Sequence, residues 1–105
     1  MYTPLQISLR GIAPSDTLQR SIREKARKLE HFYDRITGCR VALTLDARNP
    51  GPGGQFSVHV GVKLPGGAIE ITREHDRNVH VALRDAFDAA RRQLQDYARE
   101  KRAQA

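Results

Sequence analysis

Residues 18–36 read LQRSIREKARKLEHFYDRI, and no other segment of the chain says as much about its structure. Apolar side chains recur in it at the spacing of one helical face: Leu18, Ile22, Ala26, Leu29 and Tyr33. Arg20, Arg23 and Arg27 fall opposite this stripe, and Lys25 and Lys28 flank it. The segment therefore predicts an amphipathic helix that buries one face and presents cationic groups on the other.

Alternating apolar and polar residues around this helix predict four β-strands. The alternating runs are residues 5–10, 41–45, 56–64 and the shorter run that begins at Ile69 and Ile71. Pro65-Gly66-Gly67 predicts a tight turn between the last two strands. Ser15 or Asp16 is suited to cap the helix, and Gly38 ends the helical region.

A second, longer helix is predicted after Asn78, which is a suitable capping residue. Its apolar side contains Val79, Leu83, Ala86, Phe87, Ala90, Leu94 and Tyr97. Its opposite side contains Arg84, Arg91, Arg92, Arg99 and Arg102, with Asp88 among them. This helix uses arginine almost exclusively until Lys101, and arginine's planar fork can hold a phosphate through two hydrogen bonds.

Together these elements predict an α+β fold, a two-layer sandwich in the order β-α-β-β-β-α. Two helices with one apolar stripe each can cover one face of a four-stranded mixed sheet. A crossover through the first helix would make the first two strands parallel, and the later three would form an antiparallel meander. We expect one domain over 1–105, a mobile Pro/Gly loop at 46–55 and a frayed tail at 103–105.

The composition favours an anionic partner and limits the chemistry. The 105 residues include 18 Lys and Arg against 12 Asp and Glu, for a net charge of +6. This balance suits RNA, DNA or an acidic protein surface, although no single segment carries the excess. With Cys39 as the only cysteine, neither an intramolecular disulfide nor a thiolate cluster can form. Neither a signal peptide nor a membrane span is evident, so we expect a cytoplasmic protein with no membrane partner.

No catalytic or metal-ligating constellation is evident. Cys39 has no histidine near it in sequence, and His31, His59, His75 and His80 do not follow a known ligand spacing. The glycines at 51–54 lack the Gly-Lys-Ser/Thr ending of a phosphate-binding loop. The sequence therefore predicts a protein that is not an enzyme, with no metal, no cofactor and no small-molecule substrate.

The cationic faces have two interpretations. They can simply be solvated, with Glu24–Lys28 and Asp88–Arg92 placed to form ion pairs along each helix. Alternatively, the two helices lie side by side and form a basic ridge that binds phosphates without reading sequence. Specificity would then come from the shape of a folded RNA.

Two segments resemble the bacterial ribosome hibernation-promoting factor and ribosome-associated inhibitor family, also called sigma-54 modulation proteins. The first is 18–36, with Glu24-Lys25, Lys28-Leu29-Glu30, Phe32 and Asp34-Arg35-Ile36 as that family writes them. The second contains Gly66-Gly67, Ile69, Ala82, Asp88 and Arg92-Gln93-Leu94. Since the chain ends soon after the second helix, the resemblance is to the short form of the family.

This resemblance implies a factor that binds the small ribosomal subunit, occludes the channel for messenger and transfer RNA, and represses translation under stress. The implied contacts with ribosomal RNA are Lys25, Lys28 and Arg35 on the first helix and Arg92 on the second. Six further candidate contacts are added only because they lie on the outward faces of the predicted helices: Arg20, Arg23, Arg27, Arg84, Arg91 and Arg99. A second small hibernation factor is an implied partner.

The chain also departs from the family pattern. Asn78 and His80 replace the usual Asp and Tyr at the start of the last helix, and Ala89 stands where Lys is common. Two alternatives therefore stay open. One is a general binder of structured RNA, and the other is a divergent protein-interaction domain that does not bind ribosomes.

Overall fold

Six elements follow one another in the predicted order strand, helix, three strands, helix. The computed structural model describes residues 4–46, 55–75 and 78–104. Its elements are β1 (Leu5–Arg10), α1 (Asp16–Phe32), β2 (Gly38–Asp46), β3 (Gln55–Leu64), β4 (Gly67–His75) and α2 (Val79–Gln104). The predicted element order is confirmed.

The four strands form one mixed sheet in the order β1-β2-β3-β4. β1 and β2 run parallel, with Leu5 opposite Cys39. β2, β3 and β4 form an antiparallel meander, in which Val41 lies opposite Val60 and Val60 opposite Ile71. This register places the apolar residues of neighbouring strands on the same face of the sheet, as the alternation predicted.

Both helices cover that apolar face. α2 packs on β3 and β4, while α1 contacts β1 and lies against α2. The buried strand side chains are Cys39, Val41, Leu43, Val58, Val60, Val62, Leu64, Ile69 and Ile71. From the helices, the buried side chains include Leu18, Ile22, Leu29, Leu83, Ala86, Phe87, Ala90 and Leu94. The charged faces of both helices consequently lie in the outer layer of the sandwich, on one side of the sheet.

Capping side chains define where the helices begin. The Ser15 hydroxyl accepts a hydrogen bond from the Leu18 backbone N–H at 3.3 Å, which settles the choice between Ser15 and Asp16. The Asn78 side chain accepts one from the His80 N–H at 2.9 Å. In each helix this satisfies one of the backbone donors that the first turn leaves unpaired.

The end of α1 differs from the sequence prediction. The helix ends at Phe32, because the backbone of Tyr33 is extended, with φ −140° and ψ 112°. Arg35 was expected on the first helix but lies in the segment between α1 and β2. Ile36 is buried although it lies outside the helix, and Gly38 is the first residue of β2 rather than a helix end.

A compact turn at Pro65 and Gly66 connects β3 to β4. Gly66 has φ +81°, which only glycine adopts without strain. The Tyr97 hydroxyl donates a hydrogen bond to the Pro65 carbonyl at 2.8 Å and so ties α2 to this turn. The Tyr97 ring also meets Tyr33 edge-on, with centroids 6.2 Å apart.

Two further expectations concerned the loop and the tail. Residues 46 and 55, which bound the expected mobile loop, are paired with each other at the ends of β2 and β3. Residues 47–54 lie outside the described residues. α2 continues to Gln104, so residues 103 and 104 of the expected frayed tail are helical, and residue 105 lies outside the described residues.

Candidate nucleic-acid interface

The cationic residues of α1 occupy both flanks of the helix. Arg20, Arg23, Arg27 and Lys28 are exposed, and Lys25 is half-buried. Each residue turns the helix by about 100°, so Lys25 and Lys28 lie within about 40° of Phe32. Arg20, Arg23 and Arg27 lie about 120–180° away from it on the same estimate.

The two flanks have different neighbours. Arg91 of α2 contacts the ring of Phe32, so the flank with Lys25 and Lys28 is the one that adjoins α2. On the other flank, Arg23 and Arg27 line a small cleft together with Leu5 of β1. The basic surface of α1 therefore extends from its boundary with α2 to the β1 edge of the molecule.

The arginines of α2 are all exposed: Arg84, Arg91, Arg92, Arg99 and Arg102. Helical spacing places Arg84 and Arg102 on the flank of Arg91, which adjoins α1. Arg92 and Arg99 are turned about 100° further, away from the sheet. The α2 cations therefore adjoin those of α1 and continue outward from them.

Most of these cations have no acidic partner. The exceptions are Arg84, 3.6 Å from Asp85, and Arg99, 3.9 Å from Asp96. Among the described residues, no ion pair within 4.0 Å involves Arg20, Arg23, Lys25, Arg27, Lys28, Arg35, Arg91, Arg92 or Arg102. The possible pairs Glu24–Lys28 and Asp88–Arg92 are not formed.

The opposite face of the sheet has a mixed charge. Arg40 and Lys63 line a shallow depression there, and Glu70 lines the same depression. Glu74 lies on β4 and accepts a hydrogen bond from Gln55 at 2.9 Å. With acids interspersed among its cations, this face is a weaker candidate for a polyanion than the helical layer.

Cys39 is unsuited to nucleophilic chemistry. Burial in β2, with a smaller contribution from the charge of Glu30, raises the pKa of its thiol from 9.0 to about 11. The thiol therefore stays protonated at neutral pH, and the thiolate is the reactive form. In the part of the chain that is described, no group of His, Cys, Asp and Glu could hold a metal ion.

A row of contacts among three polar side chains on β3 and β4 was not predicted from the sequence. His59 Nδ1 lies 3.0 Å from Thr72 Oγ1, and its Nε2 lies 3.5 Å from Glu70 Oε1. The order hydroxyl, imidazole, carboxylate is that of a hydrolase triad. However, the His59 and Glu70 side chains are 36% and 71% exposed on the open sheet face, where water is not excluded. We interpret these contacts as cross-strand links between β3 and β4.

The sequence also missed the surroundings of Phe32. The residue is 39% exposed, and the guanidinium carbon of Arg91 lies 4.7 Å from the centroid of its ring. Phe32 lies one residue before Tyr33, the last residue of the apolar stripe. Phe32 does not fit the helical spacing of that stripe, and only this misfit indicated that it lies off the buried face.

Comparison with known proteins identifies the family. Residues 5–102 match the family described as sigma 54 modulation protein / S30EA ribosomal protein. The chain belongs to this family. An S30EA family member is a ribosome-associated factor and not an enzyme, which confirms the absence of catalytic function expected from the sequence.

The relatives of this S30EA protein include one curated sequence and two solved structures. A ribosome hibernation promotion factor from Deinococcus radiodurans is 32% identical over 93 residues, 88% of this chain and 47% of that protein. The chain thus spans about half the length of that relative.

None of the described helices is long and apolar enough to cross a membrane.

Both structural similarities extend over nearly the whole chain. A ribosomal subunit interface protein from Coxiella burnetii has a TM-score of 0.78 and 20% identity, covering 91% of this chain and 98% of that one. The N-terminal domain of Thermus thermophilus Protein Y has a TM-score of 0.73 and 21% identity, covering 92% and 99%. At these identities the similarities establish the fold, and they confirm the predicted β-α-β-β-β-α sandwich.

Proposed function

We propose that this S30EA protein associates with the ribosome in the cytoplasm and represses translation as a hibernation factor. It binds the small subunit through its helical layer and occludes the channel for messenger and transfer RNA. The names of its relatives support the ribosome as the target, since they include a hibernation promotion factor and a subunit interface protein. The geometry of α1 and α2 supports the helical layer as the binding surface.

One observation carries the choice of surface. The two helices lie on the same side of the sheet, and most of their cations have no acidic partner among the described residues. Exposed arginine and lysine groups that are not neutralised are available to phosphates, and each phosphate contact releases counterions. Such contacts suit ribosomal RNA, whose folded shape supplies the specificity.

The proposed contacts comprise three sets. On α1 they are Arg20, Arg23, Lys25, Arg27 and Lys28. On α2 they are Arg84, Arg91, Arg92 and Arg99. Arg35, in the segment after α1, completes them. We expect smaller contributions from Arg84 and Arg99, because Asp85 and Asp96 partly neutralise them. No cofactor or small-molecule substrate enters this mechanism, and a second small hibernation factor is a further proposed partner.

Co-sedimentation with purified ribosomal subunits, at low and at high salt, tests the proposal. We expect the protein to sediment with the small subunit, and the bound fraction to fall steeply as salt rises. The variant Lys28→Glu/Arg92→Glu should abolish co-sedimentation at moderate salt. Its matched control is Arg40→Glu/Lys63→Glu, which makes the same change in charge on the opposite face and should bind like the wild type.

Other outcomes favour the alternatives. Equal affinity for any RNA duplex would show a general binder of structured RNA. Absence of RNA binding at every salt concentration would favour a protein-interaction domain. If both double variants lost binding to the same extent, net charge rather than the helical layer would be responsible, and the proposed surface would be wrong.

A further inference from the structure

Phe32 is the one large apolar side chain that is exposed among the described residues. It is the last residue of α1, on the flank of the helix that adjoins α2. The residue is 39% exposed, and burial therefore explains only part of its presence at this position. Within the described residues, the one ring contact that involves Phe32 is with Arg91, whose guanidinium carbon lies 4.7 Å from the ring centroid.

This contact leaves the N–H donors of Arg91 available, because among the described residues its side chain donates no hydrogen bond. An arginine side chain has five such donors, and its charge is attracted to the face of an aromatic ring. Arg91 also forms no ion pair with any acid in the described ranges. Its N–H groups are therefore free to hold a phosphate through two hydrogen bonds.

The contact also restricts the motion of a flexible side chain. A free arginine side chain loses much of its rotamer entropy when it is fixed in a complex. A side chain that is already held against a ring has less of this freedom to lose on binding. Arg92, the next residue, is exposed and has no such support in the structure, so the two arginines form a natural comparison.

We propose that Phe32 is a positioning residue that holds the guanidinium of Arg91 ready to bind a backbone phosphate of the ribosomal RNA. This inference rests on the proposed function and assigns a role to a residue that carries no charge. Lys28 lies one helical turn before Phe32 on the same flank of α1. It supplies a second cation for the same stretch of RNA backbone.

A double-mutant cycle on small-subunit binding tests the proposal. Phe32→Leu keeps an apolar side chain but removes the ring, and we expect it to weaken binding roughly three- to tenfold. Phe32→Tyr keeps the ring face and should bind within about twofold of the wild type. In an Arg91→Ala background, Phe32→Leu should have no further effect, because the ring acts through that arginine. In an Arg92→Ala background its full effect should persist.

A second measurement does not involve RNA at all. In the free protein, ring-current shielding should move the NMR signals of the Arg91 side-chain protons upfield, and Phe32→Leu should remove this shift. The melting temperatures of all variants separate a loss of positioning from a loss of folding. Equal effects of Phe32→Leu in the two arginine backgrounds would mean that the ring contacts RNA itself and would overturn the proposal.

The remaining outcomes are equally decisive. Unchanged binding by Phe32→Leu, or unshifted Arg91 signals in the free protein, would also overturn the positioning role. If the wild type does not bind the small subunit, the proposed function itself fails. That result would be distinct, because the upfield shift would still show whether the ring holds the arginine.

Discussion

Arg92 and Arg99 lie two turns apart on the same face of α2, yet their surroundings differ. Arg99 lies 3.9 Å from Asp96, whereas Arg92 has no acidic partner among the described residues. An adjacent carboxylate lowers the positive potential at a guanidinium and also repels an approaching phosphate. At this scale the immediate neighbours of a cation, as well as its position on the helix, determine the positive potential that it offers to an anion.

The exposed position of Arg92 and Lys28 predicts a large effect on binding and almost none on stability. Arg92→Glu or Lys28→Glu should reduce affinity for the small subunit about tenfold or more at moderate salt, because an attractive contact becomes repulsive. Exposed charges contribute little to folding, so the melting temperature should change by less than about 4 °C. Binding is measured by co-sedimentation and stability by thermal unfolding. A large loss of melting temperature would show that these residues are structural.

The buried thiol of Cys39 predicts a pH dependence of stability. Its pKa is raised from 9.0 to about 11 in the folded protein, so above pH 9 the unfolded chain loses this proton first. Stability should therefore fall from pH 9 towards pH 11, by at most about 1.4 kcal/mol per pH unit from this group.

Cys39→Ala is the control for this effect. Its free energy of unfolding, measured by denaturant titration, should fall less steeply over the same pH range. All other groups are common to both proteins, so the difference in slope isolates the thiol. Equal slopes for the two proteins would contradict the raised pKa.

Among the elements, α1 depends on its first turn. The Ser15 side chain accepts a hydrogen bond from the Leu18 N–H, and Leu18 is buried against the sheet. The cap therefore links the start of the helix to the residue that anchors it.

Loss of this cap gives a prediction for the element as a whole. Ser15→Ala should destabilise the protein by about 1 kcal/mol, which corresponds to a melting temperature lower by roughly 4–8 °C. Ser15→Asp should retain most of the stability, since aspartate is an equally good cap. If alanine and aspartate behaved alike in thermal unfolding, the hydrogen bond would not be what stabilises the helix start.

The sequence predicted the elements well where periodicity and burial coincide. The alternation of Val58, Val60 and Val62 identifies β3 and the face it buries. The predicted end of α1 was wrong because Tyr33 continues the helical apolar spacing from Leu29, although the backbone leaves the helix at Tyr33. Arg35 was assigned to the helix through the resemblance of residues 18–36 to the family, and it lies beyond the helix end.

Across the whole molecule, both helices occupy one side because each strand has only one apolar face. α2 lies on this face through several small side chains, and Ala86 and Ala90 are completely buried. Small residues at these positions allow the helix to approach the sheet closely.

Close packing of α2 predicts a strong effect of added volume. Ala90→Leu should cost about 1–3 kcal/mol in unfolding free energy, because a fully buried position has no space for the extra atoms. Gln93→Leu is a suitable control, since Gln93 is exposed on the same helix and should tolerate the change. Denaturant titration measures both, and equal stabilities would show that α2 can move away from the sheet without cost.

The candidate interface was only partly predictable from the sequence. Helical spacing identified the exposed arginines, and the element order placed both helices in one layer. Spacing within one helix cannot show which flank adjoins the other helix, because this depends on the crossover. The contact of Arg91 with Phe32 and that of His59 with Thr72 are tertiary, and no local pattern indicates them.

The contact between Tyr33 and Tyr97 has a practical consequence for spectroscopy. The chain contains no tryptophan and three tyrosines, so its intrinsic fluorescence comes from phenol rings alone. Two of the three meet where the end of α1, the β3–β4 turn and α2 converge, with one hydroxyl hydrogen-bonded to a carbonyl. Emission near the phenol maximum should therefore report the opening of this junction without any attached dye.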